Sequence, residues 1–101
     1  MTESEMLELA AKAAGMPKHL DGMGFEMAHH PKWNPLADDG DALRLAVKLG
    51  LTVAQLMSNR EVLVNDYDET VTENEFHEAD SAAATRRAIT LAAAKIGRNM
   101  P

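Results

Sequence analysis

The chain has 101 residues, enough for one small domain with a single hydrophobic core. With 46% apolar residues, 26% charged residues and a net charge of −6, its composition is ordinary for a soluble globular protein. The chain has no cysteine, which excludes disulfides, thiolate zinc sites, iron–sulfur clusters and cysteine nucleophiles.

The first predicted helix runs from about Glu3 to Ala14. Thr2 and Glu5 have the spacing of a capping box, in which a hydroxyl and a carboxylate bond free backbone N–H groups. Gly15 is suited to the left-handed residue that ends a helix. The acidic N-terminus has no basic segment leading into an apolar run, so we expect no signal peptide.

The segment 16–37 is rich in glycine, proline and histidine. Residues 23–28 are predicted to form a weak strand, and residues 30–36 an ordered loop. The only tryptophan, Trp33, has two interpretations. It is either an exposed anchor for a partner or a side chain that covers an edge of a core poor in aromatic residues.

The second predicted helix runs from about Asp39 to Leu49, and Gly50 ends it. Asp38, Asp39 and Asp41 cluster at its start. Carboxylates at a helix N-terminus bond the free backbone N–H groups and complement the helix dipole, which favours a capping role. The alternative is a metal-binding or acid–base role, although the spacing of a calcium loop is absent.

Three strands are predicted after this helix, at residues 51–57, 62–67 and 70–76. The first two are apolar at both alternating sets of positions, which is typical of strands covered on both faces. We therefore expect these two to be central and the more polar third strand to lie nearer an edge. Residues 66–70 are the predicted hairpin connection.

The third predicted helix runs from about Ser81 to Ile96, with Asp80 or Ser81 as its N-terminal cap. Its many alanines favour a helix, and we expect Gly97 to end it. Residues 98–101 are then a frayed tail. The helix has a basic side, which we expect to neutralise nearby acids or to remain solvated: Arg86, Arg87, Lys95 and Arg98.

Residues 61–80 contain eight acidic residues and no lysine or arginine. A protein that binds the phosphate backbone of nucleic acids would show the opposite bias. One hypothesis is an acidic strand face that binds a basic partner. The other is a solvated strand face and turn, where charge discourages edge-to-edge pairing. The candidate binding residues are Asp66, Asp68, Glu69, Glu73, Glu75 and Glu78.

The order of predicted elements and three segments of the chain give a resemblance to a known family. The segments are MLELAA at 6–11 with Gly15, WNPLADDGDALRLAVKLG at 33–50 and AATRRAITLAAAKIG at 83–97. Together they resemble the phage ABA-sandwich domain family of small phage and prophage proteins. The resemblance implies a β-sheet between helical layers and an origin in a phage or prophage genome. It implies no enzyme activity, and it supplies no catalytic or binding residues.

We therefore predict a single domain over residues 1–101 of the α+β class. Three helices should pack on a mainly antiparallel sheet of three to five strands, as an α-β-α layered sandwich. The predicted function is that of a non-enzymatic phage or prophage accessory protein that binds another, unidentified protein through the acidic strand face. We expect no catalytic residue, cofactor, metal, nucleic acid or membrane contact.

Two alternative functions stay open. The first is a small metal-dependent enzyme that uses Asp38, Asp39 and Asp41. The second is a structural or oligomeric component of the virion or its assembly. The expected location is the cytoplasm of a bacterial host, and a virion location or a homodimer is also compatible with the sequence.

Overall fold

The computed structural model of the protein describes residues 1–16, 33–66, 72–76 and 80–101. In this part of the chain there are three helices and one antiparallel sheet of three strands, which confirms the α+β class. The helices are α1 (Glu3–Ala13), α2 (Asp39–Leu49) and α3 (Ser81–Arg98). The strands are β1 (Thr52–Leu56), β2 (Glu61–Asn65) and β3 (Thr72–Phe76), with a short 3-10 helix at Met57–Asn59. The strand predicted at 23–28 lies outside the described residues.

Each helix begins at a predicted capping side chain. Thr2, Asp38 and Asp80 each accept a hydrogen bond from the backbone N–H three residues further on, at 3.1, 2.8 and 2.8 Å. These bonds satisfy N–H groups that have no partner within the helix. Gly50 ends α2 with a φ of 64°, as its position predicted.

The strand order is β1-β2-β3, with antiparallel pairing throughout. Within the described residues β1 is therefore an edge strand, which differs from the prediction of a central strand at 51–57. The apolar run at 51–57 suggests a buried strand, but its two end residues lie outside β1. Leu51 packs against the core from the connection after α2, and Met57 lies in the 3-10 helix with 75% of its surface exposed.

The hydrophobic core lies where the sheet meets the helices. Val62 and Val64 of the central strand are completely buried, and α3 packs against β2 and β3. The helices α1 and α2 in turn pack against α3. Small residues dominate the contact surface of α3: Ala88, Ala92, Ala93 and Ala94 are all completely buried. This helix is the element that holds the other layers together.

Gly97 does not end α3, contrary to its predicted role. The helix continues to Arg98, and Gly97 is not in the left-handed conformation that Gly50 adopts. Its function is steric, because a Cβ atom at this position would lie 2.0 Å from the carbonyl oxygen of Leu9 in α1. In the predicted tail, the carbonyl of Met100 accepts a hydrogen bond of 3.0 Å from Lys12 of α1.

Among the described residues, no helix is both long enough and apolar enough to cross a membrane.

Replacing Gly97 by alanine should destabilise the fold by about 3 kcal/mol, because the new methyl group meets backbone atoms that cannot move aside alone. In an ordinary helix interior the same change is stabilising. Urea unfolding followed by circular dichroism measures the difference. As a control, Gly50→Ala has open space and should cost only about 1 kcal/mol through its positive φ. Equal stability of Gly97→Ala and the native protein would contradict the close packing of α1 on α3.

Candidate functional site: the acidic strand and the groove beside it

Two of the predicted acidic binding residues point towards the helices. In the register of the sheet, Glu73 is opposite Val64, and Glu75 is opposite Val62. Directly opposed residues in neighbouring strands project from the same face of a sheet. Glu73 and Glu75 therefore share the face of the buried valines, on which α3 packs.

The basic side of α3 meets these two glutamates. Lys95 forms a short ion pair with Glu73, and Arg87 forms one of 2.7 Å with Glu75. The side chain of Glu73 is 14% exposed and that of Glu75 is 24% exposed. The helix thus neutralises this part of the acidic segment, which is the first of the two roles expected for its basic residues.

The other predicted acidic binding residues are placed differently. Asp66 follows β2 and is half-buried. Asp68, Glu69 and Glu78 lie outside the described residues. On the opposite face of the sheet from α3, Glu61 is almost completely buried and accepts a hydrogen bond of 2.6 Å from the amide of Asn74. The described part of the chain therefore does not gather the acidic residues into one open surface.

Trp33 is half-buried and packs against the main core cluster. Its position agrees with the structural interpretation. The next residue, Asn34, begins a turn. Its backbone carbonyl accepts hydrogen bonds from the N–H groups of Ala37 and Asp38. The side-chain oxygen of Asn34 also accepts a bond of 3.0 Å from Leu36.

The three aspartates at the start of α2 have separate partners. Asp41 is 5% exposed and accepts hydrogen bonds from the backbone of Asn34 at 2.9 Å and from Arg44 at 2.8 Å. Asp38 is the helix cap. Asp39 forms an ion pair of 2.6 Å with Arg86 of α3. These contacts support the capping interpretation, extended by a bond to the preceding turn that the sequence did not reveal.

Arg86 joins this turn to α3. Its Nε–H donates a hydrogen bond of 2.9 Å to the carbonyl oxygen of Leu36, and its side chain is only 19% exposed. Over the described ranges, no three carboxylate or imidazole side chains are grouped as a metal ion would require.

A groove lies between α2 and β1, with α3 as its back wall. It has a volume of about 330 Å³, and its surface is largely apolar. Its lining includes Ala42, Leu43, Ala46, Val53, Thr85 and Ile89. We call it the α2–β1 groove. The sequence did not predict it, since its walls come from three elements that are distant in the chain.

Two features of the α2–β1 groove matter for binding. Leu43 is 64% exposed and Val53 is 37% exposed, although both are aliphatic. The amide of Gln55 donates a hydrogen bond of 2.7 Å to the hydroxyl of Thr85, which links β1 to α3 across the groove. The groove is therefore an open apolar surface, and the bond between Gln55 and Thr85 holds two of its walls together.

The chain matches no protein-family model, no curated protein and no solved structure. Membership of the phage ABA-sandwich domain family is therefore a hypothesis that rests only on the three resembling segments of the sequence. The function has to be argued from the geometry of the described residues.

Replacing Lys95 by methionine should lower the free energy of unfolding by about 2 kcal/mol, because the largely buried Glu73 would lose its charge partner. Chemical denaturation measures the loss. Lys48→Met is the matched control, since Lys48 is exposed on α2 and its replacement should change stability by less than about 0.5 kcal/mol. Equal effects of the two replacements would show that the ion pair contributes nothing.

Replacing the buried Asp41 by alanine should destabilise the fold by about 2 kcal/mol, because the half-buried backbone N–H of Asn34 would lose its acceptor. Arg44→Ala removes only the 60% exposed partner and should cost less than about 1 kcal/mol. Thermal unfolding of both variants tests this order. The reverse order would mean that the ion pair, and not the bond to Asn34, holds Asp41.

Proposed function

We propose that this protein acts by binding another protein in the α2–β1 groove, and that it is not an enzyme. The observation that carries the proposal is the exposed aliphatic surface of Leu43 above an apolar groove. Apolar concave surfaces with few polar groups are typical binding sites. The partner would cover side chains that the described part of the fold leaves in water.

The contacts of the acidic strand support this choice of surface. Glu73 and Glu75 are partly buried beside α3 and paired with Lys95 and Arg87. A basic partner would have to replace these internal ion pairs to reach either glutamate. We therefore assign the two glutamates to the stability of the fold, and we place the contact surface in the groove.

The origin in a phage or prophage is a second part of the proposal, and it rests on the resemblance of the sequence segments. The same holds for a location in the bacterial cytoplasm. The partner is a protein of unidentified sequence, and a second copy of this chain is the alternative.

Replacing Leu43 by glutamine should abolish capture of the partner from a bacterial lysate, because the change removes apolar surface from the groove without adding charge. Val47→Gln is the matched control. Val47 lies one turn further along α2 and is 72% exposed, but it does not line the groove. Mass spectrometry should find a protein held by the native chain and by Val47→Gln, but not by Leu43→Gln. If every captured protein binds all three chains equally, the groove is not the contact surface.

A further inference from the structure

The five residues of β3 add no apolar side chain to the core. Thr72, Asn74 and Phe76 are exposed, and Phe76 keeps 72% of its surface in water. The other two residues, Glu73 and Glu75, are charged. None of the five belongs to the hydrophobic core cluster or to the partly buried apolar residues packed against it, whereas the central strand β2 supplies two completely buried valines. The strand β3 is therefore held in place by other contacts.

The sequence of β3 is also a poor strand former. Within TENEF, asparagine and glutamate are among the residues that are depleted in strands. The strand pairs with β2 in a regular antiparallel register over all five residues. Backbone hydrogen bonds contribute little net free energy, because unfolding exchanges them for bonds to water. The attachment of β3 therefore depends strongly on its side-chain contacts.

Charged groups of α3 supply two of these contacts. Lys95 pairs with Glu73, and Arg87 pairs with Glu75 at 2.7 Å. We call these four residues the α3–β3 ion pairs. Both side chains that β3 directs towards the helices are engaged in them, so the strand is fixed to α3 at two points along its length.

The α3–β3 ion pairs are partly shielded from water. The glutamate side chains are largely buried, and the lysine and arginine are about half exposed. Such shielding strengthens the attraction between the charges, and a glutamate left there without its cation would be unfavourable. On the opposite face of the sheet, the bond from Asn74 to Glu61 is polar as well. The side-chain contacts that hold β3 to the described part of the chain are thus polar, and two of them depend on charge.

We propose that β3 is a detachable strand. It leaves β2 and α3 as one unit while the helices and their core stay folded, and the α3–β3 ion pairs set how often this happens. Proteins open in such cooperative units, with free energies well below that of global unfolding. In the closed state the two glutamates and one edge of β2 are covered, and in the open state both become accessible. This conformational device is separate from the α2–β1 groove, and it controls access to acidic residues for which the sequence predicted a binding role.

Hydrogen exchange of the native full-length chain, followed by NMR, tests the proposal. The amides of β3 that bond β2 should be at least ~100-fold less protected than the amides in the completely buried part of α3, at Ala92, Ala93 and Ala94. The difference is expected because the opening of β3 leaves the packing of α3 on α1 intact.

Two replacements separate the opening of β3 from global unfolding. Lys95→Met should raise the exchange rate of the β3 amides at least ~10-fold, since Glu73 loses its cation. The control Lys48→Met, at an exposed position of α2, should leave this rate within ~2-fold of the native value. Ile89→Val removes one methyl group from the core and should raise the exchange rate of the α3 amides ~5-fold. The same change should leave the β3 amides within ~2-fold.

A charge exchange tests whether charge, and not shape, holds the strand. Lys95→Glu places two carboxylates together and should raise the exchange rate of the β3 amides at least ~10-fold. Adding Glu73→Lys to this variant restores an ion pair with the two charges reversed. The double variant should return to within ~5-fold of the native rate, since the attraction does not depend on which partner carries the positive charge.

Three results would overturn the proposal. If the β3 and α3 amides are equally protected and respond equally to Ile89→Val, the strand opens only when the whole fold does. If Lys95→Met has no more effect than Lys48→Met, the ion pair does not hold the strand. If the charge exchange fails to restore slow exchange, the contact does not act through charge. Each of these results leaves the proposed function of the groove untouched, because lysate capture tests that function separately.

Discussion

The fold depends on how closely α1 approaches α3. Where the two helices cross, the backbone of Leu9 occupies the space in which any side chain on Gly97 would lie. Completely buried alanines on both helices, such as Ala10 and Ala93, make the same close distance possible elsewhere along the contact. A core with only 4% aromatic residues needs this arrangement, because small side chains produce dense packing only when backbones lie close together.

The close contact of α1 with one side of α3 leaves its other sides for the sheet and for α2. Towards the sheet, the small residues of α3 cover Val62 and Val64, and its longer basic residues reach the glutamates of β3 at the margin. The acidic excess of residues 61–80 is thus met in part by a helix that follows it in the chain. A charge bias that looks like a binding surface in one segment is, for Glu73 and Glu75, one half of an internal contact.

Local rules predicted the helices well, because a cap and its target lie three residues apart. Thr2, Asp38 and Asp80 needed no knowledge of the tertiary structure. The role of Gly97 could not be found in this way. A glycine near a helix end has the same sequence context whether it ends the helix or lets a second helix approach closely. The edge position of β1 and the bond from Asn34 to Asp41 depend on contacts between separate elements. The spacing of apolar residues along the chain does not predict such contacts.

The candidate site escaped prediction for the same reason. The aspartates, Arg86 and the glutamates of β3 each have a charged or backbone partner within the chain. Leu43 and Val53 have an apolar groove between them and no side chain that fills it among the described residues. Where polar groups are satisfied and apolar groups are not, the free energy gained by covering a surface comes mainly from the apolar part.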